Sequence, residues 1–314
     1  MTDTALRDSS SALEPTTFGS VPLSVPVTTA LLQSLTGGLV QRGFSWGLPV
    51  ILSPVTDPLW PDPGSSIESR LELELYDRRV RVTQSMIIHK LLLVSGALPR
   101  LFFLSPNVRV ERRDRADTGR HLYEFTQLDF EVRGFTSLEL RALFEGVLEE
   151  AMDHLRQTLP PEARSGLAHL PPPPYPVRER RDLVERYGAD WEEALSRETP
   201  TPVWVTDLPR EFYDYEDPST HVWDNFDLYL PRLGEVLSGS RREWELARIL
   251  QKMQRDGVSP EAFRPLLRRA EKGALLPSAG AGLGIERLVA WLVGASHVGE
   301  VQLFPRIPGT VPEL

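Results

Sequence analysis

Residues 101–134 read LFFLSPNVRVERRDRADTGRHLYEFTQLDFEVRG, and they contain two runs with the two-residue period of a β-strand. In the first run, Asn107, Arg109 and Glu111 share one face and valines occupy the other. In the second run, one face carries mainly aromatic and polar side chains, among them Phe125, Gln127, Asp129 and Glu131. The stretch predicts an antiparallel hairpin with a core face and a functional face, although alternation alone fits a solvated sheet face equally well.

The two predicted strands are joined by residues 112–120, a connection longer than the about two to five residues of most hairpin loops. Four arginines lie in this connection: Arg112, Arg113, Arg115 and Arg120. Guanidinium groups bind phosphate oxygens well. A loop of this composition can therefore close over a phosphorylated ligand.

A second informative stretch, SAGAGLGIERLVAWLVG at residues 278–294, combines closely spaced glycines with the apolar spacing of a helix. Glycine lets the backbone approach a ligand closely, and the start of a helix favours anions. Arg287 would lie in the first turn or so of that helix. The segment lacks the Gly-Lys-Ser/Thr of a Walker loop, and taken by itself it is explained at least as well by tight backbone packing.

A third stretch, residues 203–243, contains a candidate metal site. Asp227 lies on a short predicted strand, Glu235 follows eight residues later, and the hydroxyl of Ser238 is nearby. Oxygen ligands of this kind suit a hard cation such as the Mg²⁺ of a nucleotide site. Two acids at this spacing are also a common coincidence, so the segment alone leaves the metal site open.

The composition of the 314-residue chain, with 41% hydrophobic and 25% charged residues, is typical of a globular protein with a sizeable core. The absence of cysteine excludes disulfides, a thiolate nucleophile and cysteine-bound zinc or iron–sulfur clusters. The formal net charge of −9 argues against a general nucleic-acid-binding protein. No apolar run approaches the roughly 20 residues that span a bilayer, so we expect a cytoplasmic protein without a membrane partner.

The sequence predicts one main domain, residues 21–314, preceded by a flexible N-terminal tail at residues 1–20. The tail is rich in Ser, Thr, Asp and Pro and lacks apolar periodicity. Apolar residues at helical spacing predict an amphipathic helix over residues 140–155. The proline-rich segment at about residues 158–177 predicts a surface insertion.

Together, the three stretches resemble the catalytic domain of class II aminoacyl-tRNA synthetases, in particular the aspartyl and asparaginyl branch. In that family the second signature motif runs approximately Arg-x-Glu, a loop, Arg-His-x-x-Glu-Phe-Thr-x-x-Asp, and here it stands as VRVERRDRADTGRHLYEFTQLD. The third motif, Gly-x-Gly-x-Glu-Arg, stands as GLGIER, and DLYLPRLGEVLSGSRRE between them resembles the metal and amino-acid segment of the branch. The resemblance covers roughly residues 27–310. It implies an α+β fold in which helices flank a mostly antiparallel sheet of six or seven strands.

The resemblance also implies a site for ATP and Mg²⁺. The nucleotide ligands of the family correspond here to Arg109, Glu111, His121, Phe125, Gly284 and Arg287. Arg109 would bind the α-phosphate and Arg287 would reach the γ-phosphate, so these two residues would be catalytic. The metal would be held by Asp227, Glu235 and Ser238. Cations at the phosphates suit adenylation, in which a carboxylate attacks a phosphate that is already negative.

The amino-acid ligands of the family correspond to Lys90, Gln127, Asp129 and Arg242. Gln127 and Asp129 would receive the α-ammonium group, and the two cations would face the side-chain carboxylate. Such a pair favours aspartate over neutral asparagine, because an unpaired buried cation is costly. A reversed substrate would exchange these roles, and a helix surface is the alternative place for Lys90.

The tRNA ligases of this branch carry an N-terminal anticodon-binding domain, for which we find no counterpart in the sequence. The strings SPVTDPL, TQSMIIHK, SGSRRE and FPRIPG instead resemble stand-alone asparagine synthetases of archaeal type. We therefore expect a homodimeric ligase that converts L-aspartate, ammonia and ATP into asparagine, AMP and pyrophosphate, without tRNA as a partner. The alternatives are an aspartyl-adenylate-forming ligase that transfers aspartyl to tRNA, a small molecule or a protein, and a non-catalytic regulatory paralogue.

Overall fold

The computed structural model describes residues 17–18, 21–55 and 67–312. At the N-terminal end, strand β1 (Thr17–Phe18) pairs antiparallel with β2 (Val21–Pro22). The rest of the predicted tail, residues 1–16 and 19–20, lies outside the described residues. The prediction of a flexible tail therefore stays a prediction.

The other strands are β3 (Ser45–Trp46), β4 (Leu52–Ser53), β5 (Ile67–Ser69), β6 (Glu72–Leu75), β7 (Arg78–Val82), β8 (Arg100–Val108), β9 (Val110–Glu111), β10 (Glu124–Arg133), β11 (Val177–Glu179), β12 (Val203–Thr206), β13 (Asn225–Leu230), β14 (Gly234–Arg241) and β15 (Ser278–Gly284). The α-helices are α1 (Ser24–Gln41), α2 (Ile87–Val94), α3 (Ser137–Thr158), α4 (Pro161–Ser165), α5 (Arg180–Tyr187), α6 (Trp191–Glu198), α7 (Leu246–Arg255), α8 (Arg264–Glu271) and α9 (Ile285–Val293). Among the described helices, none is both long and apolar enough to span a membrane.

The main sheet has the strand order β11-β12-β13-β14-β15-β10-β8-β3. All its inner pairs are antiparallel, and only the two edge strands, β11 and β3, pair parallel with their neighbours. The mostly antiparallel α+β fold is confirmed, with eight strands in this sheet instead of six or seven. The edge strands contain three and two residues, which is too short for alternation to predict them.

The predicted hairpin is formed by β8 and β10, which pair from Val108–Glu124 to Arg100–Val132. One face of β10 carries Leu128, Phe130 and Val132, and these side chains are buried in the main core with α1, α3 and α9. The other face carries the polar side chains. The strand alternation therefore separated the core face from the functional face correctly.

Helix α3 covers the core face of the sheet. Its start is fixed by a capping box, in which the Thr136 hydroxyl accepts the Glu139 N–H and the Glu139 carboxylate accepts the Thr136 N–H. The apolar stripe that predicted the helix is buried: Leu140, Phe144, Val147, Leu148, Ala151 and Leu155. The helix extends beyond the apolar stripe at both ends. Its first and last turns are partly exposed, so they carry no continuous apolar stripe that could predict them.

Four residues of the proline-rich segment at 158–177 anchor it to the main core while most of its residues are exposed, so its description as a surface insertion stays a prediction. Leu159, Ala163, Leu170 and Tyr175 are all buried in the main core. The Tyr175 N–H and the Trp204 indole N–H both donate to the Glu145 carboxylate.

On the functional face, α2, α7 and α8 form a second core with Ile88, Leu91, Ile249 and Leu266. Beside it lies a three-stranded sheet of order β4-β7-β6. Helix α2 contacts β10 and carries Lys90 on its buried side. The polar face of the main sheet is thus covered by helices at one end and open at the other.

The spacing between β15 and β10 depends on the absence of a side chain at Gly280. A Cβ atom there would overlap the Glu131 carboxylate and lie 2.6 Å from the Phe130 carbonyl oxygen. We expect Gly280→Ala to lower the free energy of unfolding by about 3 kcal/mol, because the buried sheet must shift to accept the methyl group. The matched control is Gly37→Ala in α1, where a Cβ meets no atom within 4 Å. That variant should gain about 0.5–1 kcal/mol in urea unfolding, and equal stabilities for the two variants would contradict the prediction.

Candidate active site

The open end of the polar face is a cavity between β10, β14, β15 and α9. It is lined by Arg109, Glu111, Arg120, His121, Leu122, Phe125, Gln127, Glu235, Val236, Gly282, Gly284, Glu286, Arg287 and Val298. All six residues predicted to bind the nucleotide line this one cavity. They come from two stretches about 160 residues apart in sequence, which the antiparallel pairing of β10 with β15 brings together.

The floor of the site is a track of three glycines of β15, Gly280, Gly282 and Gly284, which lies beside polar side chains of β10. Alternate residues of a strand share a face, so Gln127, Asp129 and Glu131 lie on one side of β10. Their partners across the pair are Gly284, Gly282 and Gly280. Because these positions carry no side chains, the polar groups of β10 can lie over β15. The track leads from the cavity toward the end that α2 covers.

Two guanidinium groups lie at the nucleotide end. Arg109 donates from Nε and Nη2 to the Gln84 carbonyl oxygen, at 3.3 and 3.2 Å, and its guanidinium lies 5.0 Å from the centre of the Phe125 ring. Arg287 donates to the carbonyl oxygens of Arg120 and Glu235, at 3.1 and 2.7 Å. The carbonyl partners orient both cations and carry no net charge, while the Glu235 carboxylate offsets part of the charge of Arg287. This end of the cavity is therefore suited to phosphate.

His121 lies among these cations and is kept neutral by them. Burial lowers its pKa to about 3, with added repulsion from Arg287, Arg115, Arg120 and Arg109. Its Nδ1 atom lies 2.6 Å from the Thr118 hydroxyl oxygen. A neutral ring can both donate and accept a hydrogen bond, which suits contact with a base or with phosphate oxygens.

Two glutamates in the cavity have different roles. Glu111 is buried and its Oε2 atom has no hydrogen-bond partner, so this oxygen is available to a donor such as an amino group. Glu286 accepts the Thr126 N–H at 2.9 Å and fixes the start of β10. Burial raises the pKa of Glu286, with the Thr126 N–H opposing the shift.

The predicted metal ligands lie together on β13 and β14. Asp227 is the register partner of Ser238, and one of its oxygens accepts a hydrogen bond from Arg210. The other oxygen, Oδ1, is buried without a hydrogen-bond partner. Burial raises the pKa of this carboxyl against the opposing effect of Arg210. An orphaned carboxylate oxygen next to a hydroxyl suits Mg²⁺, which commonly takes one or two carboxylates and completes its shell with phosphate and water oxygens.

The Glu235 carboxylate lies 3.7 Å from the Arg287 guanidinium, at the border between the metal ligands and the nucleotide cavity. Across the described residues, no three His, Asp or Glu side chains converge as a metal site. A cation here would therefore depend on the ligands that ATP brings with it.

Lys90 and Arg242, which the sequence predicts as substrate ligands, are both buried, so the surface alternative for Lys90 is wrong. Their role as substrate ligands stays a prediction. Lys90 Nζ donates to Asp129 at 2.9 Å and to the Ala281 carbonyl oxygen at 3.1 Å. Arg242 forms ion pairs with Glu131 at 3.1 Å and with Asp214 at 2.6 Å. Each cation is thus already neutralised by a carboxylate of the protein.

Sequence reasoning missed Arg120, Arg210, Asp214 and Glu286 as site residues. Glu286 stands in the quoted GLGIER motif, and Arg120 was noted only as part of the arginine-rich loop. Arg210 and Asp214 lie in a loop between β12 and β13 that has no alternation or helical period. Only the fold brings them to Asp227 and Arg242, which are 17 and 28 residues away.

Comparison with known proteins identifies the fold and the family. The structure of asparaginyl-tRNA synthetase from Pyrococcus horikoshii complexed with asparaginyl-adenylate superposes with a TM-score of 0.79 at 24% identity, covering 92% of this chain and 69% of that one. The fold is therefore that of the class II aminoacyl-tRNA synthetases. The family model of class II tRNA synthetases (D, K and N) matches residues 66–308, and the chain belongs to this family.

The chain is similar in sequence to two curated tRNA ligases. It is 29% identical over 305 residues to an asparagine–tRNA ligase of Thermococcus gammatolerans, with 90% of this chain and 68% of the relative covered. It is 30% identical over 254 residues to an aspartate–tRNA(Asp/Asn) ligase of Haloquadratum walsbyi, with 72% and 56% covered. The chain thus spans between about half and two thirds of the length of these relatives.

The expectation that tRNA is not a partner is wrong, because the matched relatives are ligases of tRNA. That expectation came from the lack of a counterpart to the anticodon-binding domain, together with a net charge of −9 for the whole chain. A whole-chain charge averages over the surface and does not describe the arginine-rich loop at the mouth of the cavity, formed by Arg112, Arg113, Arg115 and Arg120.

The depressed pKa of His121 makes a testable prediction about pH. From about pH 3 to 6.5 the unfolded chain binds a proton that folded His121 does not bind, so this residue makes stability rise with pH in that window and adds no slope above it. His121→Gln should therefore flatten the rise in the free energy of unfolding between pH 5 and 7. Urea unfolding at both pH values tests this. A ring of His121 that titrates between pH 5 and 7 in an NMR experiment would contradict it.

Proposed function

We propose that this protein forms the adenylate of aspartate or asparagine from ATP and passes the aminoacyl group to tRNA. The observation that carries the proposal is that four predicted nucleotide ligands line one cavity: Arg109, Glu111, Phe125 and Arg287. This cavity continues along the track beside Gln127 and Asp129. The relatives support it, because their names describe asparagine–tRNA and aspartate–tRNA ligases. They favour transfer to tRNA, the alternative reading of the sequence, over amination by ammonia.

The proposed reaction begins with attack of the amino-acid carboxylate on the α-phosphorus of ATP, and pyrophosphate leaves. Arg109 lies against Phe125 at the inner side of the cavity, where it can neutralise the α-phosphate, and Arg287 can stabilise the leaving pyrophosphate. No covalent bond to the protein is needed. The acyl adenylate is then attacked by a hydroxyl of the tRNA terminus, and AMP leaves.

A metal is expected to enter with ATP, and Mg²⁺ would neutralise phosphate charge there while held by Asp227, Glu235 and Ser238. The partnerless Oδ1 of Asp227 supports this assignment. Arg210 holds the second oxygen of the same carboxylate and so fixes its direction. Gln127 lies beside the track, where it is held by the side chain of Asn107 at 2.8 Å and can accept from the α-ammonium group.

The test is exchange of labelled pyrophosphate into ATP in the presence of asparagine or aspartate, followed by aminoacylation of tRNA. Exchange together with charged tRNA would support the proposal. AMP and asparagine formed only when ammonium is added to aspartate would instead support the synthetase reading. No exchange and no ATP binding would favour the regulatory paralogue.

Arg287→Ala should reduce pyrophosphate exchange by at least about 100-fold, because a removed transition-state cation costs about 3 kcal/mol or more. The fold should be retained, since Arg287 is partly exposed and bonds carbonyl groups at the rim of the cavity. Arg264→Ala is the matched control, because Arg264 is exposed and pairs with Glu261 on the surface. Near-normal exchange in Arg287→Ala would remove this residue from the nucleotide site.

The proposal includes a homodimer that forms through the segment between α1 and β4. Trp46, Leu48 and Ile51 are 54%, 90% and 59% exposed, and no other residue that the structure describes covers this apolar patch. Leu48→Glu with Ile51→Glu should convert a species of twice the 35.4 kDa chain mass into a monomer in size-exclusion chromatography with light scattering. Val222→Glu, at an exposed residue in a distant loop, is the control. A wild-type protein that is monomeric at micromolar concentration would refute the dimer.

A further inference from the structure

The end of the track opposite the nucleotide cavity holds a buried ion cluster, formed by Lys90, Asp129, Glu131, Asp214 and Arg242. All five side chains are buried. The cluster contains two cations and three carboxylates, so its formal charge is one negative unit. Carboxylates thus outnumber the two cations that the sequence predicts to face the substrate side chain.

The guanidinium of Arg242 has no N–H group left for a ligand. Its Nε donates to Glu131 at 3.1 Å, and Nη1 donates to Asp214 at 2.6 Å and to the Ser240 hydroxyl at 2.7 Å. Nη2 donates to the Gly280 carbonyl oxygen at 2.8 Å and to Glu131 at 3.4 Å. These contacts use all five donors of the guanidinium. A substrate carboxylate can bind Arg242 only by displacing a carboxylate of the protein.

Asp214 is the partner that fixes this arrangement. It forms a backbone bridge with Arg242, its carboxylate accepts a hydrogen bond from the Ser240 hydroxyl, and its carbonyl oxygen accepts from Lys252. The next cations along the network, Lys252 and Arg248, are paired with Glu243 at 3.2 and 3.0 Å. They are therefore not free to compensate a further negative charge beside Arg242.

We propose that Asp214 is a specificity-determining residue, which occupies Arg242 and thereby selects an amino acid with a side-chain amide over one with a side-chain carboxylate. This inference rests on the proposed function. An aspartate side chain would bring a fourth carboxylate to two cations and leave one of the four buried without a partner, which is costly. An asparagine side chain adds no charge, and its NH₂ group supplies donors for the excess carboxylate oxygens.

The wild-type protein decides the first part of the inference. We expect asparagine to support pyrophosphate exchange with a kcat/KM at least about tenfold above that of aspartate, a difference of about 1.4 kcal/mol. Calorimetric binding of each amino acid alone should show the same order. This second measurement keeps the inference separate from the proposed function, because it requires no adenylation.

Asp214→Asn decides the role of the residue. The substitution keeps the shape of the side chain, makes the cluster formally neutral and removes the charged partner of Nη1. We expect kcat/KM to rise for aspartate and to fall for asparagine, so that their ratio moves by about tenfold or more. A merely structural role would lower both values together. The opposite movement of two substrates is thus the diagnostic result.

Glu243→Gln is the matched control for Asp214→Asn. It removes a buried carboxylate from the adjacent ion pairs with Lys252 and Arg248, which form no bond to Arg242. It should lower stability without changing the substrate ratio. If Asp214→Asn does not fold, the wild-type comparison still confirms or overturns the selection of the amide over the carboxylate.

Three results would overturn the inference: aspartate binding as tightly as asparagine, aspartate supporting the faster exchange, or an unchanged substrate ratio in folded Asp214→Asn. Absence of exchange with both amino acids would overturn the proposed function alone. In that case the calorimetric order of asparagine and aspartate still confirms or overturns the selection of the amide.

Discussion

The site depends on the close antiparallel contact between β10 and β15. A buried sheet normally fills both faces with side chains, but β15 presents glycine at positions 280, 282 and 284, each opposite a polar residue of β10. The carboxylate of Glu131 occupies the space that a side chain at Gly280 would need. This contact brings the second and third sequence motifs together and makes room for buried charge within one sheet.

The same track separates two electrostatic environments. At one end, carbonyl oxygens hold Arg109 and Arg287, and the nearby His121 is neutral. The Glu235 carboxylate offsets part of the charge of Arg287. At the other end, Lys90 and Arg242 are matched or outnumbered by carboxylates. The reacting carboxylate of an amino acid must reach the cationic end, while its side chain lies toward the carboxylate-rich end. A substrate side chain that is neutral, or that donates hydrogen bonds, therefore fits the carboxylate-rich end best.

Alternation and spacing predicted the features that depend on local sequence. The β8–β10 hairpin, the core face of Leu128 and Phe130, and the helix α3 all follow from periods of two or 3.6 residues. The identities of the nucleotide residues needed the motif resemblance, and the cavity then contained all six. What could not be predicted is which charges cancel, because the partners of Arg242 lie 28 and 111 residues away in sequence. A residue type shows that a charge exists, whereas only the fold shows whether it is already neutralised.

The net charge of the whole chain was misleading for the same reason, because the sequence does not show which charges are buried and neutralised. Among the described residues, six acidic side chains are buried, Glu111, Asp129, Glu131, Asp214, Asp227 and Glu243, against three basic ones, Lys90, Arg242 and Lys252. About a third of the net charge of −9 therefore lies in the interior. Interior carboxylates that pair with buried cations contribute little to the field that a polyanion meets. Arg113, in the same loop as the cavity residue Arg120, is exposed. An acidic chain can thus present a basic entrance, and its sequence charge does not exclude a nucleic-acid partner.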